Sequence, residues 1–421
     1  MISSTSMKMN FFIVLLGLAS LREVFSFGII PTPAGLSQEA ILTMAQRRYS
    51  KASSLPNSEP NKFPMTGRVA VITGAAGGIG GELAQLIYNL GGTVVGLDRN
   101  AKGLKELEKN LKGFDAEQNS SNNESPGSVW TLEAHHEDLA SVASTADQIL
   151  SRYESIDILI NNAGLTYRQD SIPGQPHMMA ANGKDLSFTV NYLSHFLLTE
   201  KLLPSLSKAK DGGRVVHITS TYHWKVDGSE LIPQLDGSGP IAYQYDPSKQ
   251  GPKHVERAYA NSKMAQIWHS RSIDADNCSS VCACPTWAAT GIGGDDARAF
   301  LQQYAFSIDN CGPGVTSSIN AIFKSDGELG DALNDGMSFV ANSRILEKIV
   351  WREALLSGDF VTNTLKWRDG LTDLLGLVLL LGQKFTYEMF LIQKTSPDTN
   401  NNHEGRKALY DWSQKEVEKY L

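Results

Sequence analysis

A β-branched run, Arg68 to Thr73, passes directly into the glycine-rich segment TGAAGGIG that begins at Thr73, and this junction restricts the fold more than anything else in the chain. The run reads as a strand buried on both faces of a parallel sheet. In the segment that follows, Gly74, Gly78 and Gly80 carry no Cβ, so the backbone can turn tightly and a ligand can come close to it. A helix over Ile79 to Leu90 then aims its N-terminus at that space, which favours an anion such as a pyrophosphate. Gly91 and Gly92 end this helix, Thr93 to Leu97 gives a second strand, and Ala101 to Lys112 gives a charged helix with Leu104, Leu107 and Leu111. A glycine loop alone is weak evidence, but one that follows a strand, opens a helix and lies in a βαβ unit is a dinucleotide cradle.

The alternation continues. Phe114 to Ser128 is Asn- and Ser-rich and reads as an exposed insertion, after which Val129 to Leu132 and Ile156 to Ile160 are strands around a helix over Ser141 to Tyr153. Leu186 to Leu206 follows as a long helix, Arg214 to Thr219 as a strand, Ala258 to Ile273 as a helix and Ser279 to Cys284 as a strand. This is an α/β chain with a doubly wound parallel sheet, a Rossmann fold, in one main domain over residues 65–345. Between Tyr222 and Glu256 a Gly- and Pro-rich stretch without periodicity reads as a loop inserted beside the site. Residues 346–421 read as a helical C-terminal extension whose apolar run Leu374 to Leu381 is too short to cross a bilayer.

The N-terminus reads as an address. Met1 to Asn10 carries Lys8 and no acid, Phe11 to Ala19 is apolar, and Val24 and Ser26 offer a cleavage site before Phe27, so residues 1–26 form a signal-like segment. Residues 27–64, rich in Ser, Pro and Ala, read as a transit segment or a disordered leader outside the fold. Such a two-part leader is similar to those of algae whose plastids lie inside the secretory system; secretion, retention in the endoplasmic reticulum and a signal anchor stay open beside it. The net charge of -7 and isoelectric point near 5.8 lack the basic excess that a phosphate backbone needs, so nucleic acid is not an expected partner. The cysteines Cys278, Cys282, Cys284 and Cys311 read as buried thiols, with Cys282 and Cys284 as zinc or redox ligands a distant second.

Tyr259 and Lys263 stand four residues apart on a helix and share one face. An ammonium beside a phenol favours the phenolate and can lower its ordinary pKa of about 10 by about one to three pH units, which makes an acid/base pair. Ser220 follows a strand, where its hydroxyl can leave the carboxyl edge of the sheet, the edge at which open α/β folds bind ligands.

Taken in order, TGAAGGIG, NNAG from Asn161, Ser220 closing VVHITS and YANSK from Tyr259 resemble the classical short-chain dehydrogenase/reductase family, from about Gly67 to about Asn342. NNAGLT, NYLSHFLL and AYANSK are similar to its retinol dehydrogenase-like and WW-domain oxidoreductase-like branch. The resemblance implies hydride transfer between a nicotinamide and a carbonyl or alcohol carbon, with Tyr259 passing the proton, Lys263 tuning it and Ser220 holding the substrate oxygen. It implies that Asn191 bends its helix and holds a water linking Lys263 to solvent. It places Ile79 with the three glycines in the cradle, Asp98 and Arg99 at the adenosine ribose, and Asp138 and Leu139 at the adenine, Asp138 being otherwise a helix N-cap. Asn161, Ala163 and Gly164 would lie against the cofactor, Asn161 foremost, and Pro285 and Thr290 at the nicotinamide, although Thr286 replaces the usual glycine. Asp98 favours NAD while Arg99 would accept the 2′-phosphate of NADP, and the weight falls on NAD. No metal is required. The branch implies a small hydrophobic alcohol or carbonyl substrate and the family a homodimer, while the apolar run of the tail is open to packing on the domain or a partner subunit, to covering an apolar pocket, or to a peripheral membrane contact. The 39 positions between Ser220 and Tyr259 exceed the family's usual spacing, which leaves open a nucleotide-binding sensor or scaffold without turnover.

Overall fold

The computed structural model describes residues 36–49, 63–118, 127–166, 179–246, 252–285, 288–293, 308–330, 336–339 and 391–421, with single positions 298 and 333. Val69–Thr73 forms β1, every residue of it buried, as a β-branched run covered by helices on both faces must be. The chain then alternates through α2 (Gly78–Asn89), β2 (Thr93–Asp98), α3 (Ala101–Gln118), β3 (Ser128–Glu133), α4 (Leu139–Arg152) and β4 (Ile158–Asn161). Helix α5 has three parts: Leu186–Phe188, a π-helical turn Thr189–Leu193, and Ser194–Leu206. It is followed by β5 (Gly213–Ile218), α6 (Pro252–Ser270), β6 (Cys278–Cys284), α7 (Pro313–Phe323) and β7 (Gly336–Phe339). The sheet order is β3-β2-β1-β4-β5-β6-β7, all parallel, and β8 (Leu391–Lys394) adds antiparallel to β7. The order reverses between β1 and β4, the switch point at which such sheets open a crevice.

Two parts of the chain depart from the sequence reading. Residues 27–64 were expected outside the fold, yet Gln38–Tyr49 forms helix α1, which buries Ile41, Ala45 and Tyr49. The Arg48 guanidinium donates to the Gly212 carbonyl (3.1 Å), and the Arg68 guanidinium stacks on the Tyr49 ring (5.3 Å). The signal is there in apolar residues at intervals of four, on a segment whose polar composition hid it. The C-terminal extension is helical in α8 (Pro397–Asn401) and α9 (His403–Val417), but it also supplies the strand β8. Leu374 to Leu381 lies outside the described residues.

Helix α9 packs over α5 and α6. Tyr192 Oη and Ser413 Oγ are 2.8 Å apart, and the Tyr410 hydroxyl donates to Glu200 (3.1 Å). The same helix pins the segment after Tyr222: the Tyr243 hydroxyl donates to Glu416 (2.6 Å), and Trp412 lies against Gly239 so closely that a Cβ there would stand 2.8 Å from its ring. The described part of this segment is therefore a series of short 3-10 turns with Leu231 and Tyr243 buried, not a slack loop.

Candidate active site

The turns leaving the carboxyl ends of β1, β4 and β5 carry the site. Thr73 ends β1, and its Oγ1 accepts the backbone N–H groups of Asn162 (2.9 Å) and Ala163 (2.8 Å). Asn162 Nδ2 donates in return to the Thr73 carbonyl (2.9 Å), so the turn after β4 is stitched to the loop after β1. This seam requires glycine twice. Gly74 has φ +68°, in the left-handed region, and a Cβ on Gly80 would collide with the Gly74 carbonyl oxygen. Helix α2 then begins at Gly78 with no side chain capping it, and the space beside Gly77 is open. An uncapped helix N-terminus behind a loop with no Cβ at Gly77 or Gly78 fits the pyrophosphate of a dinucleotide. Ile79 is buried beneath this loop, and Thr290, half-buried, faces Gly78 from across it.

The other residues expected at the nucleotide divide. Asp98 ends β2, where Oδ2 accepts the Ala76 N–H (3.1 Å) and Oδ1 the Asn100 N–H (2.9 Å), so the acid holds the glycine loop in shape; Arg99 is exposed beside it. Asp138 caps α4, accepting the Ala140 N–H (2.9 Å), with the rest of the residue exposed, while Leu139 is core. Asn161 needs correcting. Its side chain is turned into the sheet, fully buried, and donates to Thr199 Oγ1 (2.9 Å), so the neighbouring Asn162 is the asparagine that touches the glycine loop. Along a strand successive side chains point to opposite sides, and NNAG does not say which of its two asparagines faces the crevice. Ala163 and Gly164 are half-buried in the turn, Pro285 lies just past β6, and Thr286 falls outside the described residues.

Tyr259 and Lys263 are buried on α6, with the Lys263 Nζ 5.5 Å from the centre of the phenol ring. Lys263 Nζ donates to the Ile218 carbonyl (2.9 Å) and to Gln266 Oε1 (3.0 Å), and Thr219 Oγ1 donates to the Lys263 carbonyl (3.0 Å). These contacts clamp α6 to the end of β5, where Ser220 is half-buried. Burial pushes the Tyr259 phenol well above its ordinary value, and the Ser220 hydroxyl, which hydrogen-bonds it, pulls the other way. Burial also pushes the Lys263 ammonium down to about 8. The lowering of the phenol expected from the spacing is therefore not seen: burial sets the direction at Tyr259, and the Lys263 ammonium is turned to the Ile218 carbonyl and Gln266. The long gap between Ser220 and Tyr259 does not keep them apart, since the intervening turns fold back against α9.

Asn191 lies fully buried in the π turn of α5. Its Oδ1 accepts the Leu165 N–H (2.9 Å), and its Nδ2 donates to the Leu165 carbonyl (3.1 Å) and to Ser262 Oγ (3.0 Å). The Asn191 carbonyl accepts from His195 Nδ1 (3.0 Å), whose Nε2 in turn accepts from Thr73 Oγ1 (2.9 Å). The irregular turn is thereby tied to the glycine loop. A Cβ on Gly164 would stand 3.3 Å from Asn191 Oδ1 and 3.6 Å from Lys263 Nζ, so these three residues converge. Thr73, Asn162 and His195 were missed from sequence; a threonine ending the strand before the glycine loop was the one available sign.

Comparison with known proteins finds similarity over part of the chain. Residues 68–227 match the family model described as short chain dehydrogenase. Retinol dehydrogenase 13 of Homo sapiens is 32% identical over 167 residues, 39% of this chain and 44% of that protein. The dehydrogenase/reductase SDR family protein 7-like of Drosophila melanogaster is 30% identical over 210 residues, 49% of this chain and 54% of that protein. The chain spans about half the length of these curated relatives. An uncharacterised protein of Mycobacterium paratuberculosis, of known crystal structure, shares the fold with a TM-score of 0.50 at 18% identity, covering 84% of this chain and 94% of that one.

Proposed function

We infer that this chain is a retinol dehydrogenase-like member of the short-chain dehydrogenase/reductase family and an NAD(P)-dependent oxidoreductase acting on the carbonyl or alcohol carbon of a small hydrophobic substrate, a reading supported by the family match over residues 68–227 and by the similarity to retinol dehydrogenase 13. One observation carries the reading: Ser220, Tyr259 and Lys263 meet at the end of β5, beside the crevice that the glycine loop opens. A nicotinamide dinucleotide would be held by the loop from Gly74 to Gly80 and by Asp98 and Thr290, and when bound it supplies or takes up the hydride. Ser220 orients the substrate oxygen. Tyr259 exchanges a proton with that oxygen, and a phenol held protonated by burial is in the state needed to donate to a carbonyl. Lys263, fixed on the Ile218 carbonyl, keeps a polar contact below the phenol, and Asn191 keeps Leu165 and the turn after β4 in place around it. The preference between NAD and NADP rests on Asp98 against Arg99, and the carboxylate, already at the loop, favours NAD.

Tyr259→Phe tests the reading. Turnover of aldehydes or ketones by the full chain, followed by NADH or NADPH absorbance, should fall by about 100-fold or more. Nucleotide binding, read by fluorescence, should be retained. Wild-type protein that binds nucleotide but reduces no member of a panel of retinoids, steroids, fatty aldehydes and quinones would favour a nucleotide sensor instead. We further propose that the leader directs the chain into the secretory pathway and is removed before residue 36, because α1 belongs to the core. Sequencing the amino terminus of the mature protein decides this, and an uncleaved terminus, or one inside or beyond α1, would refute it.

A further inference from the structure

His223 is fully buried next to Ser220, and both of its ring nitrogens are engaged. Nδ1 lies 2.7 Å from the Ser220 carbonyl oxygen. A carbonyl only accepts, so Nδ1 carries the proton. The bare Nε2 accepts from the backbone N–H of Ser396 at 3.3 Å. Both partners therefore require the same neutral tautomer, and burial maintains it by pushing the imidazole down to about 4.

Ser396 is itself anchored. It caps α8 by accepting the Thr399 N–H (3.3 Å), and β8 just before it is paired with β7. Arg271, next after α6, donates to Thr395 Oγ1 (2.6 Å) and to Asn400 Oδ1 (2.7 Å), and Trp268 Nε1 donates to the Thr399 carbonyl (3.1 Å). The segment from Thr395 to Asn400 thus holds the helix of Tyr259 and Lys263 on one side and the backbone of Ser220 on the other. This segment lies outside the part of the chain that matches the family model.

Resting on the reading of Ser220 as the group that orients the substrate oxygen, we propose that His223 is a positioning residue: by bridging the Ser220 carbonyl and the Ser396 amide it fixes the serine against the Tyr259 phenol, and makes the segment around Ser396 a working part of the site. Ser220 begins a short 3-10 turn, so its hydroxyl direction follows its backbone, and a misplacement of about 1 Å in such a group can cost about 100-fold in rate.

The test uses the full chain. His223→Phe keeps a ring of similar size and removes both hydrogen bonds; His223→Asn keeps a donor for the Ser220 carbonyl. With an aldehyde that the wild type reduces, His223→Phe should lower kcat by about tenfold or more, with nucleotide affinity and KM within about twofold, and His223→Asn should recover most of the loss. In a Ser220→Ala background the Phe substitution should cost nothing further. An equal loss in both backgrounds, or an unchanged kcat, overturns the proposal. If the Phe variant does not fold, the same cycle is run with His223→Gln, judged by the same criterion. Should the wild type reduce no carbonyl, the oxidoreductase reading falls, and the bridge is judged by 15N NMR of histidine-labelled protein. A ring protonated on Nδ1 and unchanged between pH 8 and about 6 upholds it; a ring protonated on Nε2, or titrating near its ordinary value, overturns it.

Discussion

At the scale of single residues, Asp98 shows how one side chain serves two ends. Both carboxylate oxygens accept amide hydrogens of the loops that would surround a nucleotide, so deletion of the side chain would confound loss of charge with loss of shape. Asp98→Asn keeps an acceptor while removing the charge. Titration with NADH and NADPH should show the ratio of the two affinities moving toward NADPH by about tenfold or less, as loss of one like-charge repulsion allows; an unmoved ratio would show that the carboxylate does not face the ribose. Tyr259, Lys263 and Ser220 were legible because their relation lies in spacing along a helix and at a strand end. His223 and Asn161 were not: the first depends on an amide 173 positions away, the second on which way a strand side chain points.

At the scale of elements, the βαβ units were readable because glycine punctuation and apolar runs are local signals, whereas the irregular turn in α5 was expected at Asn191 only through the family resemblance, since its contacts to Leu165 and Ser262 are long-range. Helix α1 was misassigned because composition was weighed above periodicity. Its packing makes a sharp prediction. Ile41 is fully buried, so Ile41→Ala should lower the stability of the folded chain by about 2–5 kcal/mol, seen as a lower urea midpoint. A surface leader would tolerate the change with no shift. The turns between Val226 and Tyr243 are likewise held by α9, and Tyr243→Phe, which removes the donor to Glu416, should cost about 1 kcal/mol by the same measurement.

At the scale of the whole molecule, burial depresses four imidazoles among the described residues. Burial lowers His136 and His223 to about 4, and His195 and His217 well below the ordinary value. Unfolding frees these groups to take up protons, so the stability they leave intact above about pH 6.5 is lost as pH falls toward 4, at about 1.4 kcal/mol per pH unit for each. Asp185 works the other way, since burial raises it to about 7 and the folded state there binds the extra proton, which offsets one histidine. Urea midpoints should therefore fall steeply between about pH 6.5 and pH 5. A flat profile across that range would mean that the imidazoles reach solvent.

The attachment of β8 and Ser396 to the far edge of the sheet has a consequence for how the protein is made. A ribosome delivers the glycine loop, the serine and the tyrosine long before it delivers residue 396, so a growing chain can assemble most of the sheet while Ser220 still lacks its outer support. Translation stalled before β8 should release a domain with its first strands paired and its chemistry unready.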